Sequence, residues 1–127
     1  MRYVLTLPIH ALVIGRCASS ATFPLLACKV RRCTPHATFL VHSAKLDAPV
    51  VVHDIDRAVA DAKKSLEVVI DLYVRELQKT RAEIVAMMER GDRRFDCDYT
   101  AEQALEIGLI TEIVRDHAGL LPIPNPT

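Results

Sequence analysis

From Asp54 to Arg90 the chain carries neither glycine nor proline. A run of that length without a breaker leaves few options besides helix. Its apolar residues fall at Ile55, Val59, Ala62, Leu66, Val69, Ile70, Tyr73 and Leu77, the three-to-four spacing that lines one side of an α-helix. One unbroken helix would be long for a small domain, and Thr80-Arg-Ala-Glu83 supplies a break. Threonine followed three residues later by glutamate is a capping box, in which each side chain satisfies the other's free backbone N–H. The spacing predicts one helix over 54–78 and a second over 81–90, stopped by Gly91.

Thr100-Ala-Glu-Gln103 repeats the signature and predicts a third helix through Ile107, closed by Gly108. Shorter apolar runs frame these helices. Ile9 to Ile14 reads as a buried strand ended by Gly15, and Leu109 to Val114 as a last strand. Ser20 to Cys28 predicts a short helix, which Pro24 limits to about its first turn. Thr38-Phe-Leu-Val-His42 is a second β-prone run, entered through Thr34-Pro35, and a loop with Pro49 leads into Val50-Val-Val52. Strands early and helices late, without internal repeat, predict a mixed α/β domain. The chain has 127 residues, half of them hydrophobic, which fits one domain over 1–115 with a proline-rich, disordered tail over 116–127.

Sixteen basic residues balance sixteen acidic ones, so no net field draws the chain to nucleic acid or an anionic membrane. Lys29-Val-Arg-Arg32 is too short a basic run to alter that. No segment approaches the length of a membrane span. Cys17, Cys28, Cys33 and Cys97 form no C-x-x-C pair, and Cys33 with His36 lacks a second pair at metal spacing, so no zinc site is expected. Free, mostly buried thiols point to a reducing compartment. The first 21 residues mimic a secretory signal, but Pro8 and His10 interrupt its apolar region and Arg16 sits where cleavage prefers small neutral residues. The expected location is the cytoplasm.

The stretch "GRCASSA", Gly15 to Ala21, follows the first strand and packs small residues into one turn. A serine hydroxyl becomes a nucleophile when an imidazole takes its proton, and a carboxylate commonly orients that imidazole. A strand-to-helix turn helps, because its amides can meet an oxyanion. Ser19 and Ser20 occupy such a turn, His42 ends the next strand, and Asp96 and Asp98 lie in the loop before the third helix. The spacing alone equally fits a structural origin, with Gly15, Ala18, Ser19 and Ala21 small so that a helix can pack closely on a strand.

Three segments carry a resemblance. "GRCASSATFPLLA" resembles the active-serine segment of the Clp protease proteolytic subunit, Gly-x-Ala-Ala-Ser-x-Gly/Ala before an apolar helix. "RRCTPHATFLVHS" is similar to that family's segment ending in the active histidine. "RRFDCDYTAEQALEIGLITEIV" is similar to its closing segment, matching at Thr100, Ala101, Ala104, Gly108, Leu109 and Ile110. The order is the family's, and the resemblance covers about residues 5–114.

The resemblance implies a spiral of short strands and helices, the architecture shared with crotonase-like proteins, in which the long helix falls where the family has its handle. It implies Ser19 as nucleophile, His42 as general base and Asp96 as orienting carboxylate, with Asp98 the alternative if the loop carries a deletion. It implies no cofactor. Implied partners are unfolded polypeptides as substrates and a hexameric AAA+ unfoldase that delivers them. Heptameric rings stacked in pairs are the implied assembly, with the handle helices meeting between rings.

The chain departs from the pattern in three places. The Ser19–His42 interval is two residues short, a glycine-containing turn being compressed to "ACKVRR". His36 replaces the family's usual asparagine. The family's strands ahead of the first segment, including the Gly-Gly that forms much of the oxyanion hole, have no counterpart, so a truncated or degenerate member is expected. Two further readings stay open: a non-catalytic assembly subunit, and a crotonase-like acyl-CoA enzyme, which would want a glycine-rich turn where Ser19 stands.

Overall fold

The computed structural model describes residues 8–43, 49–90 and 98–116. The chain forms two compact units, one of Met1–Leu40 with Asp98–Thr127, the other of Val41–Cys97. The sequence expectations for the tail beyond residue 116, for Gly91 and for Asp96 fall outside the described residues.

Among the described residues the first unit holds six short strands in two sheets. β1 (His10–Val13), β3 (Val30–Cys33) and β6 (Glu112–Ile113) form one sheet, all parallel, with β3 in the middle. β2 (Arg16–Ala18), β4 (Thr38–Leu40) and β5 (Tyr99–Thr100) form the other, in which β2 pairs parallel and β5 antiparallel to β4. Parallel neighbours need a crossover. The segment with α1 (Thr22–Leu26) supplies it, carrying the chain from β2 back to β3.

The corners between the sheets are zipped together. Thr34 donates its N–H to the Val13 carbonyl at 2.9 Å and its hydroxyl to the Ile14 carbonyl at 2.8 Å. The Thr38 N–H reaches the Gly15 carbonyl at 3.0 Å. Two strand–corner–strand segments therefore run side by side, one coil of chain laid on the previous one. This mixed α/β winding of small sheets and helices is consistent with the spiral that the resemblance implies.

Three sequence expectations change here. Ile9 to Ile14 is not a buried strand: along β1 half-buried Ala11 and Val13 alternate with exposed His10 and Leu12, and Ile14 at the corner is 72% exposed. The alternation of side chains along a strand leaves its second face uncovered among the described residues. The basic run Lys29–Arg32, read from sequence only as charge, enters β3, the central strand. The last strand is cut to Glu112–Ile113 because the N–H groups of Leu109 and Ile110 turn back to the Ala104 carbonyl, at 2.9 and 3.3 Å. These bonds close α4 (Ala101–Glu106), with Gly108 at φ +82°, a conformation easy for a residue without Cβ.

Arg31 of β3 makes the closure a tertiary contact. Its Nε donates to the Leu109 carbonyl at 2.9 Å, Nη2 to Gly108 at 3.0 Å and Nη1 to Cys28 at 3.0 Å. One planar cation thus meets the carbonyl-rich ends of two helical segments, where a positive charge is favoured. In the same unit Leu25, Leu26, Cys33, Phe39, Ala101, Ala104, Leu109 and Ile110 are buried. Alanine at 101 and 104 lets α4 lie close on β4 and β6.

The second unit is helical. α2 (Ile55–Leu77) follows a 3-10 turn at Val52–Asp54, and α3 (Arg81–Met88) follows the break predicted at Thr80. The capping box is reciprocal, Thr80 N–H to Glu83 Oε2 at 2.7 Å and Glu83 N–H to Thr80 Oγ1 at 3.2 Å. Gln78, in the left-handed region at φ +53°, ends α2. Glu67 and Arg81 then brace the corner with two bonds of 2.5 and 2.6 Å. Ile70, Tyr73, Ile84, Met87 and Met88 are buried, whereas Ile55 at the start of α2 and Val68 past its middle are exposed. No helix among the described residues is long and apolar enough to cross a membrane.

Candidate active site

β2 and β4 end in register, Ala18 opposite Leu40. Ala18 is still extended, at φ −124° and ψ 143°, and the next residue, Ser19, turns to φ +56° and opens a 3-10 turn, Ser19–Ala21. For a residue with a Cβ the left-handed conformation costs about 1–2 kcal/mol. Glycine or asparagine is the usual tenant, so a serine here needs outside support. A sharp strand-to-helix turn of this kind lifts a side chain off the strand end, as the nucleophile elbow of α/β-hydrolases does. Ser19 is half-buried and Ser20 exposed.

The support comes from one residue. Thr22 is fully buried, its hydroxyl donates to the Ser19 carbonyl at 2.6 Å, and its N–H is shared between the carbonyls of Ser19 and Ser20. Sequence reading missed Thr22. The only hint was a threonine three residues after the serine, a spacing at which its hydroxyl can reach back to a carbonyl.

His42 belongs to the second unit, and Ser19 to the first. Its Nδ1 bonds to the Ser43 carbonyl. A carbonyl only accepts, so Nδ1 carries the proton and Nε2 keeps its lone pair, the tautomer that a general base acting through Nε2 requires. Asp96, the expected orienting carboxylate, lies outside the described residues. Asp98, its alternative, is engaged elsewhere: its Oδ1 accepts from Arg16 Nη2 at 2.9 Å. That pair ties the start of β2 to the residue preceding β5.

Two cysteines of this unit have thiols held above their ordinary value. Burial raises the Cys17 thiol above its ordinary value, and burial, with Glu102 adding to it, pushes Cys33 up to about 11. Cys28, also buried, donates from Sγ to the Pro24 carbonyl at 3.3 Å. Among the described residues no cluster of three or more His, Cys, Asp or Glu is placed to hold a metal ion.

Two small sheets with short helices, and a serine in a left-handed turn at a strand end, make a mixed α/β protein consistent with the spiral that the resemblance implies. The sequence profile of the Clp protease family matches residues 1–117. The chain belongs to the Clp protease family. No curated protein matches it.

Proposed function

We propose that this chain is a serine endopeptidase subunit of the Clp type, with Ser19 as nucleophile, His42 as general base and Asp96 as the carboxylate that orients the imidazole. The observation that carries the proposal is the left-handed turn at Ser19, φ +56°, at the residue the family resemblance assigns to the nucleophile. Family membership favours a peptide substrate over an acyl-CoA thioester.

Ser19 Oγ attacks a peptide carbonyl carbon as its proton passes to His42 Nε2. Collapse breaks the C–N bond, and the imidazolium gives that proton to the leaving amine. Water then attacks the acyl ester, with Nε2 again taking the proton, and collapse breaks the ester C–O bond as that proton returns to Ser19 Oγ and the acid is released. The Ser43 carbonyl supports this role by holding Nδ1–H, so the tautomer is set before substrate arrives. For Asp96 to orient the ring, Nδ1–H exchanges the neutral Ser43 carbonyl for the carboxylate, a stronger, charge-assisted bond. The substrates are unfolded polypeptides delivered by an AAA+ unfoldase in the cytoplasm. The working unit is a pair of stacked heptameric rings, with the apolar stripe of residues 55–77 as the inter-ring surface.

The test is labelling by a fluorophosphonate probe, read by intact mass, on the unmodified chain beside Ser19→Ala and His42→Ala. Labelling that requires both residues supports the peptidase. A folded chain that takes no label refutes it and leaves a non-catalytic assembly subunit, which shares the same fold.

A further inference from the structure

We propose that Thr22 is a positioning residue for the nucleophile: its buried hydroxyl, bonded to the Ser19 carbonyl, holds Ser19 in the left-handed turn. The assignment rests on the catalytic reading of Ser19, but the geometry behind it does not.

Ser19 is one of two residues other than glycine with positive φ among the described residues. The other, Gln78, ends a long helix, a place where the left-handed conformation is common. Ser19 has no such excuse. It follows extended Ala18 directly, and the turn it opens is a single 3-10 turn with no side-chain cap. A short helix of five residues, α1, comes next, and contributes little order of its own.

What remains is the grip on the Ser19 carbonyl. Flipping Ser19 back to negative φ would swing that carbonyl away from both Thr22 donors. The hydroxyl bond, at 2.6 Å, is within the normal O–H···O range. Thr22 is fully buried between exposed Ala21 and half-buried Phe23, so water cannot replace the partner. A β-branched threonine also has few rotamers, and the hydroxyl is therefore aimed in advance. With the carbonyl held, the peptide that carries Ser19 is held, and with it the direction in which Oγ leaves the strand end.

The experiment compares Thr22→Val, which keeps the shape and deletes the hydroxyl, with Thr22→Ser, which keeps the hydroxyl. Two quantities are read on the full chain: the maximal rate of fluorophosphonate labelling, and the Ser19 backbone conformation by crystallography. Thr22→Val is expected to slow maximal labelling about tenfold at unchanged half-saturating probe concentration, with Thr22→Ser within about twofold of the unmodified chain. Equal rates in Thr22→Val and the unmodified chain overturn the proposal, as do losses in both variants that merely follow thermal stability. If Thr22→Val does not fold, Thr22→Ala against Thr22→Ser isolates the same hydroxyl. If the unmodified chain takes no label, the peptidase reading fails, and the backbone still decides this one. Ser19 leaving positive φ in Thr22→Val upholds the positioning role, and Ser19 staying there refutes it.

Discussion

Arg31 and Gly108, 77 positions apart, are joined by a 3.0 Å bond from the guanidinium to the carbonyl that follows α4. The same side chain also holds Leu109 and Cys28. Without it, part-buried carbonyls at two helix ends lose a charged donor. Arg31→Met is therefore expected to destabilise the fold by about 2 kcal/mol, read as a lower urea midpoint. Arg31→Lys restores only part, since one ammonium cannot span three carbonyls. A midpoint unchanged in Arg31→Met would show that the fan is a surface ornament.

The two candidate carboxylates separate by mutation. Asp98 is paired with Arg16 across 2.9 Å, so Asp98→Asn should leave the fluorophosphonate labelling rate within about twofold. Asp96→Asn should lower it by about a hundredfold. In the chymotrypsin-type triad the same change costs about ten-thousandfold, largely because the imidazole takes the wrong tautomer. Here the Ser43 carbonyl already holds Nδ1–H, which limits the loss. The reverse ranking of the two variants would move the third triad role to Asp98.

Acid should loosen the α2–α3 corner. Glu67 is held below its ordinary carboxylate value, chiefly by its hydrogen bond to Arg81. A depressed native value means that the pair stabilises the fold above the unfolded-state value, and that this is lost as pH falls through the native one. Both side chains are more than half exposed, so the effect is small. Glu67→Gln should lie slightly below the unmodified chain in urea midpoint at neutral pH and coincide with it near about pH 2. A gap that persists in acid would assign the effect to packing.

Cys33 should resist alkylation. Its side chain is 0% exposed and its thiol is pushed up to about 11, so thiolate is scarce at neutral pH. Brief exposure of the native protein to iodoacetamide, followed by peptide mapping, should leave Cys33 unmodified, and the same exposure in urea should modify it fully. Rapid native modification would mean that β3 opens readily.

Local chemistry carries the helices. The absence of glycine and proline between Asp54 and Arg90, and the capping pairs Thr80 with Glu83 and Thr100 with Gln103, depend on neighbours within one turn. Such signals are complete in the sequence, and the observed helices begin where they say. The family resemblance was legible for a related reason, since its motifs are short and continuous. From it come Ser19, His42 and Asp96 as candidate site residues.

Strands obey a different logic. Arg31 and Arg32 look like surface charge until β1 and β6 flank them in register. The partners that make Val30–Cys33 a central strand lie far away in sequence, and no local pattern announces them. The same holds for the division of His10–Ala18 into strands of two sheets at the Ile14–Gly15 corner. Pairing energy belongs to both strands at once, so only the assembled sheet decides it. The left-handed turn at Ser19 is the sharpest case. The residue is ordinary by sequence, and its conformation follows from extended β2 on one side and the buried hydroxyl of Thr22 on the other. Residue types alone determined which groups are available for chemistry, and tertiary structure decided how the serine among them is held.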